Sequence, residues 1–314
     1  TRHHDVHEDH VGVMVGNLGE RIETILGQYH LAASLPEKDL GAAADGVAEL
    51  SITHDSVTYD LVLNNVTPAL PTITTAEGNT LTITGYNAST GEVTYTYTLN
   101  DDETHSSAGR DDLFEGFTIN LEDMDGDTDS GTLSVRIVDD IPVITQDTGQ
   151  AVSLEVEEDT LTSDDSDDFS VLFSNVNYGA DGAAASDELT YTLTVDSGTA
   201  SGLIDTASNE AVVLSVNGAG TVITGTADGQ TVLTISINAA TGMVTLEQQR
   251  AVRHADDGDH NDAVSIAEAA VSIVATATDG DGDEVSSSID IGDRFTFRDD
   301  GPAVTGNASE LGSI

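Results

Sequence analysis

The segment Ala76–Thr94, AEGNTLTITGYNASTGEVT, returns 151 residues later at Ala227–Thr245 as ADGQTVLTISINAATGMVT, with nine of 19 positions identical. A sequence that repeats itself at this distance must build the same supersecondary unit twice. Further on the offset drifts: Asp123, Asp125, Gly126 and Asp127 recur at Asp279, Asp281, Gly282 and Asp283, and the pair Asp139-Asp140 before Pro142 recurs as Asp299-Asp300 before Pro302. Small insertions account for the drift. Two related units are expected, one over 46–140 and a longer one over 141–302, with a third beginning at 303–314.

Within the units the apolar period is two. Glu92–Leu99 (EVTYTYTL), Thr132–Val138 (TLSVRIV), Leu189–Val195 (LTYTLTV), Val232–Ile237 (VLTISI) and Ser272–Thr278 (SIVATAT) alternate large apolar with small polar residues. Alternation with abundant Thr, Val, Ile and Tyr predicts half-buried strands. Asn217-Gly218, Asp228-Gly229 and Thr241-Gly242 punctuate the runs as turns. Many short strands at this spacing predict an all-β chain of tandem β-sandwich repeats. Residues 1–45 break the pattern. Leu18, Ile22, Ile25, Leu26 and Tyr29 fall at helical spacing, which fits either a short amphipathic helix or the truncated end of a preceding unit.

Charge sets the partners. Asp and Glu number 57 against 9 Lys and Arg, a formal charge of -48. Nucleic acid and anionic membrane surfaces need a basic footprint that this chain lacks. Such an imbalance also repels itself unless cations sit among the carboxylates. High net charge is half of the signature of disorder, but hydrophobic residues make up 38% of the chain and fall in runs that can bury a face. There is no cysteine, so stability must come from packing and from metal rather than disulfides. No stretch is apolar enough to span a bilayer, no signal peptide of the usual three-part form is present, and a fragment of a longer secreted chain is expected.

The charge is clustered. Asp123-Met-Asp125-Gly-Asp127-Thr-Asp129 and Asp279-Gly-Asp281-Gly-Asp283 place carboxylates at alternate positions with Gly between several of them. Loops of this kind can fold back on one centre, and Ca2+ accepts about 6 to 8 hard oxygen ligands in loose geometry. Neither loop has EF-hand spacing, and the nonapeptide repeat of calcium β-rolls is absent. An ordinary solvated acidic turn is the alternative. The Asp139-Asp140-Ile-Pro142 and Asp299-Asp300-Gly-Pro302 steps read as linkers stiffened by proline. Their carboxylates are expected either to join the acidic loops, or Glu155 and Glu157, in a calcium site at a unit junction, or to remain plain acidic linkers.

The order of motifs in the second unit is specific. Gly242–His254 (GMVTLEQQRAVRH), Thr276–Asp283 (TATDGDGD), Ile289–Phe297 (IDIGDRFTF) and Asp299–Pro302 together resemble the extender repeat of giant type I secreted RTX adhesins, the LapA-like biofilm adhesins. The first unit is similar to the shorter Ig-like or cadherin-like modules of the same proteins, through its acidic loop and its Asp-Asp-Ile-Pro ending. The resemblance implies Ig-like/cadherin-like sandwiches with Ca2+ at loops and junctions, contacts with neighbouring repeat units of the same chain, and one-step export to the cell surface. It also implies a structural role in adhesion and biofilm formation, holding an adhesive tip away from the cell. The secretion signal and β-roll expected at the C-terminus of such proteins are not in this sequence.

Two other functions compete with this reading. A module that itself binds a glycan or peptide through calcium would use the long second unit, with room for an inserted loop around Ser197–Asn209, but aromatic residues are only 4% and Trp is absent. A metallohydrolase would use His54, His105, His254 or His260 beside acidic residues, yet these are scattered, and His7-Glu-Asp-His10 lacks the spacing of a zinc-protease helix. Arg250 and Arg253 are expected to pair with an acidic loop.

Overall fold

Alternation in the sequence becomes alternation of burial. In the strand Glu92–Thr98 and the residue after it, Val93, Tyr95, Tyr97 and Leu99 are all buried while the Thr residues between them face outward. The computed structural model describes residues 46–88, 92–100, 103, 105, 111–161, 163–195, 199–256 and 258–301, together with the backbone of three two-residue strands near the N-terminus. The helical spacing at Leu18–Tyr29, the histidines His3, His4 and His10, Pro302 and the start of a third unit at 303–314 lie outside the described residues. Two compact units emerge. One comprises Thr1–Pro142 with Tyr178–Ala184 and Asp279–Glu284, and the other Val143–Asn177, Ala185–Thr278 and Val285–Ile314.

Among the described residues the first unit has ten strands: β1 (Val6–His7), β2 (Val13–Met14), β3 (Ala32–Ala33), β4 (Val47–His54), β5 (Val57–Leu63), β6 (Thr72–Thr74), β7 (Thr80–Asn87), β8 (Glu92–Thr98), β9 (Asp112–Asp123) and β10 (Thr128–Val138). One sheet runs β1-β10-β9-β4-β5. The other runs β2-β8-β7-β6, with β3 also on β8. The inward rows of both sheets meet in one core that includes Leu50, Ile52, Leu81, Tyr97, Phe117, Leu133 and Val135. Burying each large side chain in that row is worth about 1.5–3 kcal/mol. The long β9–β10 hairpin pairs Asp112 with Val138 at its open end and Glu122 with Thr128 at its tip. Its tip therefore carries one acidic turn, and Asp139-Asp140 follow at the far end.

The second unit contains β11 (Val143–Thr145), β12 (Leu154–Glu157), β13 (Asp164–Asp168), β14 (Asn175–Asn177), β15 (Leu189–Thr194), β16 (Thr199–Ile204), β17 (Ala211–Val216), β18 (Val222–Ala227), β19 (Gln230–Ile237), β20 (Met243–Gln248), β21 (Ala263–Ser265), β22 (Ser272–Thr278), β23 (Glu284–Asp290) and β24 (Phe295–Arg298). A six-stranded antiparallel sheet, β13-β20-β19-β18-β17-β16, provides one layer; the three-stranded sheets β15-β22-β23 and β12-β24-β21 and the pair β11-β14 complete the unit. Leu214, Ile223, Ile235, Leu246, Leu193, Ile273 and Phe297 share its core. Phe169 stacks on Phe295 with centroids 5.9 Å apart. Within the stretch expected to offer an inserted loop around Ser197–Asn209, Thr199–Ile204 instead forms the edge strand β16, whose burial alternates with Ser201 and Leu203 turned inward.

The sequence repeat is a repeat of hairpins. β7–β8 and β19–β20 occupy equivalent positions of the two copies, and both are antiparallel pairs. Asp228 and Gly229, at φ +48 and +69, form the two-residue turn that closes β18 on β19 with Ala227 opposite Gln230. Left-handed geometry at both positions is what an Asp-Gly hairpin turn supplies. No described helix is long and apolar enough to cross a membrane.

Candidate metal centre

The two recurrent acidic loops adopt the same turn. In the first, Asp123 Oδ1 accepts from the backbone N–H of Gly126 (3.0 Å) and Asp127 (2.8 Å), Asp123 N–H donates to the Asp127 carbonyl (3.0 Å), and Gly126 sits at φ +96. In the second, Asp279 Oδ1 accepts from Gly282 (3.1 Å) and Asp283 (2.6 Å), Asp279 N–H donates to the Asp283 carbonyl (3.1 Å), and Gly282 sits at φ +105. The opening Asp is thus a fold element: its side chain substitutes for a backbone acceptor, and only the glycine tolerates the left-handed step.

Their surroundings differ. Asp125, Asp127 and Asp129 are exposed and Asp123 is half-buried. The side-chain bond with Asp125 and the backbone N–H groups hold the Asp123 carboxyl below its ordinary pKa. Asp279 and Asp283 are each only 1% exposed. Burial pushes Asp279 up to about 7, helped by its bond to Asp281 and by the charges of Asp281 and Asp283. One sequence motif with one backbone geometry therefore titrates in opposite directions, and the cause is desolvation beside like charges.

Around Asp279 a dense group of carboxylates assembles within the first unit. Asp139 is fully buried, and Asp140 is 5% exposed. Burial likewise raises Asp139 to about 7, opposed by His105 and reinforced by Asp281, Asp283 and Asp181. His105 Nδ1 bonds to Asp111 Oδ1 and lies 3.9 Å from Asp139 Oδ2. One donor atom each from Asp139, Asp140 and Asp181 lies within 4.8 Å of the others, and the same holds for Asp181, Asp279 and Asp281. Both oxygens of Asp139, Oδ2 of Asp279 and Oδ1 of Asp281 are buried without a hydrogen-bond partner. Glycine permits the approach: Gly179, at φ +77, leaves no room for a Cβ against the Asp140 carboxylate, whose Oδ2 accepts from Ala180 N–H (2.8 Å). Orphaned carboxylate oxygens at this density suit a hard, multiply coordinated cation.

The structure brings together five of the residues marked in the sequence, Asp139, Asp140, Asp279, Asp281 and Asp283. It keeps Asp123, Asp125, Asp127 and Asp129 at the β9–β10 tip. Asp299 belongs to the second unit, where it lies beside Glu158 and His254, and Asp300 is exposed. Glu155 accepts from Arg298 Nε (2.9 Å) instead of joining an acidic loop. Asp181 escaped the sequence reading, and His105, considered there only as a hydrolase ligand, lies beside Asp139 in this acidic group. Asp181 stands alone before Gly182 with no alternating partner, and the bridge of Ala183 with Asp279 and the bond of Ala180 N–H to Asp140 help carry it into place.

Arg250 is a structural partner. Its Nε and Nη2 each donate over 2.8 Å to the carboxylate of Asp205, which also accepts from Ser208 N–H (2.7 Å) and Oγ (2.5 Å). Arg250 foremost, against opposing burial and with Ser208 helping, holds Asp205 down at about 2. Arg253 donates to Asn209 Oδ1 (3.1 Å) in the same loop.

Comparison with known proteins gives limited likeness. Residues 153–292 match the model of a family described as a domain of unknown function, DUF5801. No curated protein matches the chain. Among solved structures, Drosophila N-cadherin EC1-4 is similar at 16% identity and a TM-score of 0.20, over 68% of this chain and 37% of that one. The adhesive subunit CfaE of the CFA/I fimbria of enterotoxigenic Escherichia coli is similar at 10% identity and a TM-score of 0.22, over 93% and 88% of the two chains. Protocadherin gamma B7 domains 1-4 give 12% identity and a TM-score of 0.18, over 88% and 78%. The chain spans little more than a third of the N-cadherin fragment.

Proposed function

We propose that this chain is a calcium-stabilised structural module of a large secreted bacterial surface adhesin, an extender and neither an enzyme nor a ligand-binding tip. The observation that supports it is the group of four buried aspartates, Asp139, Asp140, Asp279 and Asp283, with the half-buried Asp181 and Asp281. Six carboxylates face one imidazole, His105, and burial removes much of the water that would otherwise screen their mutual repulsion. Calcium is the cation that such oxygens accommodate without imposing strict geometry. Because the groupings Asp139/Asp140/Asp181 and Asp181/Asp279/Asp281 share Asp181, two ions bridged by that residue are expected. The buried carboxylates are closed to a substrate, which favours a structural role over a catalytic one.

The motif order from Gly242 to Pro302 supports placement among the extender repeats of type I secreted RTX adhesins, at the bacterial cell surface and in biofilm formation. Neighbouring repeat units of the parent chain are then its partners. In a low-calcium cytosol the carboxylates repel one another and disfavour folding; outside, calcium binds the folded state alone and stabilises it by mass action. The exposed Asp123 loop is a weaker, secondary site in the same scheme.

The test is a metal-depleted sample of the full chain refilled with calcium. About two tightly bound ions and a melting temperature that rises with calcium and falls again with EDTA are expected. An unchanged melting temperature after exhaustive EDTA, with no bound calcium in the refilled sample, would overturn the proposal.

A further inference from the structure

A second group of metal-ligating side chains lies in the other unit and is built differently. β12 and β24 are parallel neighbours, paired Leu154 with Phe295 through Glu157 with Arg298. The next residue on each strand is an acid, Glu158 and Asp299, so the register delivers two carboxylates side by side. The third member, His254, comes from the segment after β20. Val252 N–H in that segment donates to Glu158 Oε1 (2.7 Å), and Asp262 Oδ2 accepts from Ala255 and Asp256 N–H (3.0 Å each) while its carbonyl accepts from Asp299 N–H (3.0 Å). One donor atom each from Glu158, His254 and Asp299 lies within 4.8 Å of the others.

Two buried atoms are left over. The side chains of Glu158 and His254 are each 4% exposed, and His254 Nε2 stands 3.4 Å from Glu158 Oε1. Its Nδ1 is buried and has no hydrogen-bond partner. Gln248, 1% exposed, donates through Nε2 to Glu158 Oε1 (2.9 Å) and to the Arg250 carbonyl (3.1 Å), which leaves its own Oε1 buried and without a partner. A simple His–Glu ion pair does not account for this. An imidazolium would answer one carboxylate of two and strand its second N–H in the interior, which is costly.

We propose that Glu158, His254 and Asp299 form a structural site for a borderline divalent transition-metal ion, of which Zn2+ is the representative, clasping the ends of β12 and β24 to the 249–262 segment. One imidazole with two carboxylates is a donor set that such ions accept and that Ca2+, which prefers oxygen throughout, does not select. The hydrogen bonds from Gln248 and Val252 orient the Glu158 carboxylate, as outer partners do in metal sites. This site is independent of the calcium proposal, since it shares no residue with the acidic group of the first unit.

The experiment uses the full chain carrying H3A, H4A, H7A and H10A, because that histidine cluster would bind the probe itself. The metal-depleted protein is titrated with Co2+ in millimolar Ca2+, following visible absorbance, and then with Zn2+. One equivalent of Co2+, displaced by one equivalent of Zn2+, is expected. H254Q or E158Q should weaken cobalt binding by about tenfold or more, with calcium-dependent melting unchanged, whereas H105Q should keep the band. If H254Q fails to fold, Asp299→Asn, at a half-buried position, gives the same readout. An absent cobalt band, or one that H254Q, E158Q and D299N leave at full affinity, would overturn the proposal.

Discussion

Asp279→Asn separates a metal ligand from a merely structural aspartate, because the two roles predict opposite signs. Asn keeps Oδ1, so the two backbone N–H bonds from Gly282 and Asp283 that fix the turn persist. What changes is one negative charge, removed from beside Asp281 and Asp181, whose donor atoms lie within 4.8 Å. A like-charge pair at that distance costs roughly 3 kcal/mol at an effective dielectric constant of 20. Part of that is screened, so the calcium-free variant should be more stable than the parent by about 1–3 kcal/mol. For a unit of about 150 residues that melts on its own, that is a rise of about 3–10 °C in melting temperature. With calcium the order should reverse. A ligand present at a thousand times its dissociation constant stabilises by about 4 kcal/mol, and a hundredfold loss of affinity leaves about 1.4. Melting both proteins in EDTA and in a calcium series reads the two signs directly. A variant that is less stable than the parent in EDTA, with an unaltered calcium increment, would refute the reasoning.

Asp125→Asn, in the exposed turn at the place equivalent to Asp281, should change stability in EDTA by no more than about 0.5 kcal/mol and leave the tight calcium sites intact by calorimetric titration. Gly179→Ala should cost about 1–3 kcal/mol and weaken calcium binding, because the new Cβ meets the Asp140 carboxylate at positive φ. Gly182→Ala, also at positive φ but with nothing within 4 Å, should cost about 1 kcal/mol and leave calcium titrations unchanged. Arg250→Met strands the fully buried Asp205 and should cost roughly 3–5 kcal/mol in urea unfolding at pH 7. Asp205 titrates lower in the folded than in the unfolded chain, so its pairing is fully stabilising above about pH 4 and is lost as pH falls toward 2. The gap between parent and R250M should therefore close in acid, measured by urea midpoints from pH 7 to pH 2.5.

Strands and turns were legible because their signals are local. The period of two in Glu92–Leu99 reads directly as the buried row Val93, Tyr95, Tyr97 and Leu99, and the 151-residue repeat reads as paired hairpins. The same repeat made Asp123 and Asp279 look alike, and locally they are. Nothing in either loop says that one ends at a solvent-facing hairpin tip and the other beside Asp139, since burial depends on segments such as Tyr178–Ala184 that come from elsewhere. Asp181 was missed for the same reason, and His105 was read only as a scattered histidine beside acids. Asp299 was read as a linker acid before Pro302, whereas its neighbours Glu158 and His254 follow from the parallel register of β12 with β24, which the sequence does not state.

A formal charge of -48 is compatible with folding only if each carboxylate has somewhere to place its charge, and the structure offers several places. Some stay in water, as Asp164 does on the edge strand β13, where like charges also discourage pairing with another chain. Some replace backbone acceptors: Asp165 Oδ2 accepts from Glu155 N–H (2.9 Å) and Asp123 closes its turn. Some are matched by a guanidinium: Asp205 with Arg250, Glu155 with Arg298 and Asp112 with Arg136. With nine basic residues in the whole chain, that last solution is soon exhausted. Asp139 and Asp279 use none of these fully, and their raised pKa values mark where the protein's own means run out. Burial without a partner is the least stable way to keep a charge, so an external cation has most to contribute there.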